Sequence, residues 1–246
     1  MKNWKIPLFK ILIEKEDIAF VSKVLERGMH WAEGPEIEEF ENQLSQYVGR
    51  KYCVTFNSGT SALHGTLLAL DVKKNDEIIV PSFTFISTVN STLMVNATPK
   101  FVDIENDTFG IDPTLLESSI TKKSKIILPI HYGGLPCKIN KIKKICKKNN
   151  LFLVEDAAEA LGSKIKNKMI GSFGDVSMFS FAGNKILTTG EGGAITTDSL
   201  KIANKLKLIR SHGRVTENYF QNSEKPSYTQ LGFNWRMSSI TAALGL

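Results

Sequence analysis

Hydrophobic and polar positions repeat with a helical period near the beginning of the chain. In residues 14–27 and again in residues 35–48, apolar side chains recur every three or four positions, which is the spacing along one face of an α-helix. Gly28 and Gly49 follow these segments, and glycine commonly stands just past the end of a helix. The pattern therefore predicts two amphipathic helices within an N-terminal helical segment, residues 1–50.

Short apolar runs alternate with helix-like segments after the second helix. The runs predicted to be strands are YCVTF, EIIVP, KFVDI, KIILP, LFLVE, SMFSF and GAITT. Helices are predicted from about Thr60, Thr84 and Asp112, and over the lysine-rich residues 138–148. Strands that are apolar on both sides are typical of a parallel sheet with helices on both faces. Because no repeat, low-complexity tract or linker interrupts the pattern, we expect an α/β fold in one domain, residues 1–246.

The net charge of +6 does not by itself indicate a nucleic-acid partner. The densest lysine run, CKINKIKKICKK, places Ile139, Ile142 and Ile145 at every third position, so its lysines form the polar side of an amphipathic helix. A solvated face is favoured over an anion-binding or nucleic-acid-binding surface, since no aromatic residues interleave with the lysines. We therefore expect no nucleic acid among the partners.

Cysteine and histidine are too few and too scattered for a disulfide framework or a structural zinc site. Cys53, Cys137 and Cys146 show no CxxC spacing, and the four histidines form no cluster. We expect no bound metal and a reducing, cytoplasmic location. The N-terminus meets charge too soon for a signal peptide, and no apolar run approaches the roughly 20 residues of a membrane span, so we expect no membrane partner.

The stretch NSGTSALHG, directly after YCVTF, is a candidate phosphate cradle. Gly59 permits close backbone approach, while Thr60 and Ser61 offer hydroxyls and free amides at a helix start. Unpaired amides and the helix dipole both favour an anion at such a start. Taken alone, simple Ser/Thr capping of the helix is the stronger interpretation.

Two further strand ends carry candidate residues. LFLVEDAAEALG delivers Glu155 and Asp156 to the end of a strand, where an acid binds a metal, caps a helix or holds a protonated ring nitrogen. Metal binding is the weakest of these, because no histidine or further carboxylate lies nearby in sequence. Phe85, in PSFTFIST, is a candidate for stacking on a flat ligand, although core packing is favoured when the residue is taken alone.

Lys185 lies in FSFAGNKILTTGEGGAI, between an aromatic run and a glycine cluster. Its apolar flanks are unusual for a solvated lysine, and a half-buried amine is a potential nucleophile. The alternatives are a lysine that snorkels from a loop and a GEGG segment that is only a tight turn. Together, a phosphate cradle, an acid, a stacking aromatic and a half-buried lysine are the groups that pyridoxal 5'-phosphate (PLP) requires.

An ordered set of motifs resembles the DegT/DnrJ/EryC1/StrS family of sugar aminotransferases from about Ile6 to the last residue. The motifs are NSGTSALHG, EIIVPSFTFISTVN, PKFVDIE, LPIHYGG, VEDAAEALGS, GSFGDVSMFSF, GNKILTTGEGGAITTD, RSHG and LGFNWRM. The GNK-x-x-TTGEGG version is most similar to the branch that makes GDP-perosamine and related 4-amino sugars. The resemblance implies the large domain of a fold-type-I PLP-dependent transferase, with a mostly parallel central sheet.

The resemblance also implies roles for individual residues. Lys185 matches the lysine that forms the Schiff base, Asp156 the acid at the pyridine nitrogen, and Phe85 the aromatic that stacks on the ring. Asn234 matches a residue that reaches the phosphate of the neighbouring subunit, which implies a homodimer with shared sites. The remaining phosphate-binding positions of the family correspond to Gly59, Thr60 and Ser180.

Two departures from the family pattern affect these expectations. Glu159 stands where many members have glutamine or histidine near the phenolic oxygen of the cofactor, so its hydrogen-bonding role is open. Family members are also longer, and the final SSITAALGL predicts a helix that has barely begun. We therefore expect that a smaller C-terminal domain is missing from this chain.

The expected reaction is transfer of an amino group from glutamate to a 4-keto-6-deoxy nucleotide sugar, with 2-oxoglutarate as the other product. Alternatives are amination at carbon three and a non-catalytic, cofactor-binding regulatory module. A sugar dehydratase of the same fold is disfavoured, because that branch has histidine at the position of Lys185. His30, Trp31 and His131 are candidates for the sugar site, with packing or a surface role as the alternative for each.

Overall fold

A central sheet of seven strands organises the chain. The computed structural model describes residues 5–215 and 227–246. Its helices are α1 (Lys15–Glu26), α2 (Pro35–Val48), α3 (Gly59–Ala69), α4 (Ile86–Met94), α5 (Pro113–Ser119), α6 (Ile139–Asn149), α7 (Leu200–Arg210) and α8 (Ser239–Gly245). Its strands are β1 (Tyr52–Phe56), β2 (Glu77–Pro81), β3 (Thr98–Val102), β4 (Ser124–Ile127), β5 (Phe152–Asp156), β6 (Lys164–Ile165), β7 (Lys168–Met169), β8 (Val176–Ser180) and β9 (Gly193–Thr197).

The strands of the large sheet follow the order β1-β9-β8-β5-β4-β2-β3. From β3 to β8 every pairing is parallel, and only β9, between β8 and β1, runs antiparallel to its neighbours. The prediction of a mostly parallel sheet is confirmed. Gly193 pairs with both Phe56 and Ser180, and Asp156 pairs with Met178, so the carboxyl ends of β1, β5 and β8 lie at one edge of the sheet.

Alternate residues of the buried strands face two separate hydrophobic layers. In β2, Ile79 belongs to the hydrophobic layer that also contains buried residues of α2, α5 and α6, whereas Ile78 and Val80 belong to the layer that contains those of α3 and α7. This alternation follows from the two-residue period of a strand, and it explains why the strand sequences are apolar on both sides. Helices therefore cover both faces, as predicted. Within the described ranges, no helix combines the length and the apolar character needed to cross a bilayer.

The helix ends agree closely with the sequence signals. Pro35 opens α2, and Gly49 ends it in a left-handed conformation with φ of +78°. Helix α6 buries Ile139, Ile142 and Cys146 while its lysines face outward, which confirms the predicted solvated face.

The structure differs from the sequence prediction where local pattern is weakest. Strand β3 begins two residues before the predicted KFVDI run, because its register is set by parallel pairing with β2 at an edge of the sheet. Helix α4 begins at Ile86, since Phe85 is an extended N-cap residue. The hairpin of β6 and β7 was not predicted, because a strand of two residues is too short to show an alternation of apolar and polar positions.

Replacing Gly171 by alanine should lower the free energy of unfolding by about 2–5 kcal/mol, because a left-handed conformation and an overpacked core add their penalties. Gly171 has φ of +94°, and an added Cβ would overlap the ring of Phe179. The matched control is Gly28→Ala, where φ is +69° but the Cβ meets open space, so about 1–2 kcal/mol is expected. Urea unfolding of both variants measures the difference, and equal effects would contradict the packing argument.

Candidate functional site

The start of helix α3 presents backbone amides at the carboxyl end of β1. Ser58 is the N-cap residue, and its Oγ accepts a hydrogen bond of 3.1 Å from the amide of Ser61. The amides of Gly59 and Thr60 precede the first intrahelical hydrogen bond and suit an anion. Gly59 lies against Ser180, since a Cβ added there would stand 3.1 Å from the Ser180 Cβ. Ser58 can therefore cap the helix while the amides of Gly59 and Thr60 remain available to a phosphate.

Asp156 ends β5 with its carboxylate buried. Thr88 Oγ1 donates to Oδ2 at 2.8 Å, and the amide of Ala158 donates to Oδ1 at 3.2 Å. Burial raises the pKa of Asp156, and these hydrogen bonds and the charge of Lys185 only partly oppose that effect. A cationic N–H placed against this carboxylate would compensate its desolvation.

The first turn of helix α4 joins Asp156 to the start of α3. Thr60 Oγ1 and Ser87 Oγ are 2.8 Å apart, and the next residue, Thr88, holds Asp156. Phe85 is 68% exposed, which excludes the core-packing alternative and leaves stacking as a prediction. Thr88 was missed at the sequence level, although the hydroxyl pair that follows Phe85 in PSFTFIST is a readable signal.

Lys185 lies in the loop between β8 and β9, at the same edge of the sheet. Its Nζ is 3.2 Å from Glu159 Oε1, and its side chain is only 17% exposed, which excludes a freely snorkelling lysine. The other oxygen of Glu159 accepts a hydrogen bond of 2.8 Å from the amide of Gly133. Through these contacts the loops after β4, β5 and β8 meet at one carboxylate.

Glu155 points to the opposite face of the sheet and is wholly structural. Burial alone would raise the pKa of Glu155, but the hydrogen bond and the charge of His131, together with hydrogen bonds from Gly174 and Ser177, outweigh that effect and lower the pKa to about 2. Its partners are His131 Nε2, the amides of Gly171, Phe173 and Gly174, and Ser177 Oγ.

For His131, the structure supports the packing alternative over a place at the sugar site. His131 is fully buried, and its Nδ1 accepts a hydrogen bond from the amide of Cys137. Its Nε2 faces Glu155 Oε2 at 3.2 Å. Both side chains of this pair are fully buried, which corresponds to the packing alternative for this histidine.

The contacts described for Asn234, His30 and Trp31 are with residues other than Lys185. The backbone of Asn234 forms a β-bridge with Ser211, and Asn234 is exposed. Its contact with a neighbouring subunit stays a prediction. Trp31 donates from Nε1 to the carbonyl of Val24. His30 lines a cavity of about 660 Å³ that does not include Lys185, whereas Lys185 lines a smaller one of about 230 Å³.

Comparison with known proteins identifies the family. The model of the DegT/DnrJ/EryC1/StrS aminotransferase family matches residues 12–246. The chain belongs to this family. The GDP-perosamine synthase of Escherichia coli O157:H7 is 37% identical over 241 residues, which cover 98% of this chain and 65% of that protein. The GDP-perosamine synthase of Caulobacter vibrioides is 42% identical over 213 residues, which cover 87% of this chain and 56% of that protein.

Solved structures of aminotransferases share the fold. Helicobacter pylori PseC, an aminotransferase of pseudoaminic acid biosynthesis, has a TM-score of 0.88 and 34% identity, covering 95% of this chain and 62% of that one. The PLP form of the putative sugar aminotransferase Spr1654 from Streptococcus pneumoniae has a TM-score of 0.90 and 31% identity, covering 98% and 65%. The predicted fold class is thus confirmed. The chain spans 63–65% of the length of the first three curated relatives.

We predict that Glu155→Gln removes a pH-dependent part of the stability. The pKa of Glu155 falls from 4.5 to about 2 on folding. Its contribution, about 3 kcal/mol from that shift, is therefore fully present above pH 4.5 and is lost as the pH falls through 2. The deficit of the variant in the free energy of unfolding should shrink as the pH falls from 4.5 towards 2.

The matched control is Glu117→Gln, at a surface ion pair whose carboxylate side chain is 55% exposed. Chemical unfolding across this pH range should give the control nearly the wild-type profile. A Glu155→Gln deficit that is independent of pH would contradict the assignment of an ionised Glu155.

Proposed function

We propose that this chain is the cofactor-binding part of a PLP-dependent aminotransferase. The enzyme would move an amino group from glutamate to a 4-keto-6-deoxy nucleotide sugar, of the perosamine type or a related 4-amino sugar, in the synthesis of a surface polysaccharide or glycan. The observation that carries the proposal is the half-buried amine of Lys185, held 3.2 Å from Glu159 at the sheet edge where Asp156 is buried and α3 begins.

The residues at this edge fit the chemistry of PLP. The open amides at the start of α3 suit its phosphate, and the tight approach of Gly59 to Ser180 leaves only backbone and a small side chain there. The buried carboxylate of Asp156 suits a protonated ring nitrogen, because an ion pair offsets the desolvation that raises its pKa. Phe85 is exposed beside these groups, as a stacking residue must be.

Each side chain has a defined task in the proposed reaction. When bound, PLP supplies an aldehyde and a ring that accepts electrons from the carbon being deprotonated. Lys185 would be the residue that bonds to that aldehyde and, when free, the base positioned to hold and move a proton at the reacting carbons. Asp156 would keep a proton on the ring nitrogen, while Thr88 orients its carboxylate through the 2.8 Å hydrogen bond.

The substrate assignment is supported by the relatives named as GDP-perosamine synthases, at 37% and 42% identity. A Bacillus subtilis spore coat polysaccharide biosynthesis protein, SpsC, is 38% identical, which supports a polysaccharide pathway. Similar structures also include PseC, an aminotransferase of pseudoaminic acid biosynthesis, so similar aminotransferases serve more than one sugar. Amination at carbon three is the second candidate. The motif position of Asn234 supports a homodimer with shared sites, and three free cysteines support a cytoplasmic location.

Replacing Lys185 by alanine should remove the near-visible absorbance of the PLP-loaded protein and reduce turnover at least about 10²–10⁴-fold, because nucleophile and base are lost together. Absorbance spectra and a single-turnover assay with glutamate measure both effects. Lys144→Ala, on the exposed face of α6, is the matched control and should behave as wild type. Normal turnover in Lys185→Ala would overturn the assignment.

The substrate is tested with the full-length enzyme, glutamate and a panel of keto-sugar nucleotides that differ in base and in the position of the keto group. Mass spectrometry should show conversion of oxygen to amine on a 4-keto-6-deoxy sugar and formation of 2-oxoglutarate. Preference for a 3-keto sugar would select the second candidate, and a protein that binds PLP but aminates none of the panel would support a regulatory module.

A further inference from the structure

Glu159 is the junction of three loops at the reactive edge of the sheet. Its Oε1 pairs with Lys185 Nζ at 3.2 Å, in the loop after β8, and its Oε2 accepts from the amide of Gly133 at 2.8 Å, in the turn after β4. Glu159 itself follows β5. One carboxylate thus fixes the resting place of the lysine amine relative to two other strand ends.

The backbone around Glu159 is held independently of Lys185. Gly134 has φ of +80°, and a Cβ added there would stand 2.9 Å from the carbonyl oxygen of Glu159. Ser163 Oγ donates to the carbonyl of Gly134 at 2.6 Å, which closes the contact between the two turns. The backbone that carries this carboxylate is therefore held by contacts that do not involve the lysine amine.

We propose that Glu159 is a positioning residue that holds the ammonium of Lys185 whenever this lysine is not bonded to the cofactor. It thereby favours the amine form of the cofactor, pyridoxamine phosphate (PMP), over the aldehyde form, PLP. This inference rests on the proposed function and goes beyond it. It states that the charge of Glu159 sets the relative affinity of the protein for PLP and PMP, the two cofactor forms that alternate during transamination.

The physical argument compares the two bound forms. With the aldehyde form, the Lys185 ammonium would first give one proton to solvent. The neutral amine nitrogen would then form a carbon–nitrogen double bond to the aldehyde carbon, while the aldehyde oxygen leaves with the two remaining nitrogen-bound protons as one water molecule, so the nitrogen of this Schiff base carries no charge. The ammonium that faces Glu159 is then lost. With the amine form no such bond is made, so the ion pair of the free protein persists. Loss of the ion pair therefore lowers the affinity for the aldehyde form and leaves the affinity for the amine form unchanged.

The substitution Glu159→Gln removes the charge and keeps the shape. A glutamine oxygen can still accept from the amide of Gly133, whereas its amide group cannot pair with an ammonium. The affinity for PMP should change little, and the affinity for PLP should rise. For a partly exposed ion pair, the ratio of the PMP dissociation constant to the PLP dissociation constant should increase about 1.5-fold to fivefold.

Two controls separate charge from local packing. Glu159→Asp keeps the charge and should leave the ratio closer to wild type than Glu159→Gln does. Glu191→Gln makes the same chemical change in the same loop as Lys185, at an exposed carboxylate without an ion pair among the described residues, and should leave the ratio unchanged.

The measurement is equilibrium titration of the purified protein with PLP and, separately, with PMP, followed by absorbance and by quenching of tryptophan fluorescence. An unchanged or lowered ratio in Glu159→Gln, with both forms still bound, would overturn this inference and leave the proposed function intact. Failure of the wild-type protein to bind either form would overturn the proposed function and this inference with it. Retained PMP binding shows that each variant is folded.

Discussion

The two adjacent carboxylates at the end of β5 impose the constraint on which the site depends. Successive residues of a strand face opposite sides of the sheet, so Glu155 and Asp156 are buried in different layers. Neither carboxylate is stable in an apolar layer without partners. Glu155 contacts three backbone amides, one hydroxyl and Nε2 of His131, which satisfies it completely.

Asp156 has fewer hydrogen-bond partners than Glu155, and its carboxylate is therefore the one suited to bind a ligand. One hydroxyl and one amide bind its oxygens, and burial raises its pKa because these contacts compensate only part of the desolvation. A site that lacks compensation in the protein alone suits a ligand that brings a cation. The same strand therefore anchors the fold through Glu155 and offers a binding group through Asp156.

The sheet edge explains how distant segments of sequence converge. Parallel strands end on the same side, so the segments that follow β1, β4, β5 and β8 become neighbours although they are far apart in the chain. Glu159 exploits this arrangement, because its two oxygens contact Gly133 and Lys185, which lie 26 residues away on either side. Each of these two contacts contributes little free energy, but together they restrict the position of the Lys185 amine.

The sequence by itself determined the fold class, most of the helices and strands, and the residue types of the site. Those features follow from local periodicity, from caps such as Gly49 and from ordered motifs, all of which are readable within a few residues. Only the tertiary structure decided which layer each side chain enters: Phe85 lies open, His131 is buried with Glu155, and Thr88 supports Asp156. The physical reason is that strand order and register, which are long-range properties, determine which side chains meet at the sheet edge.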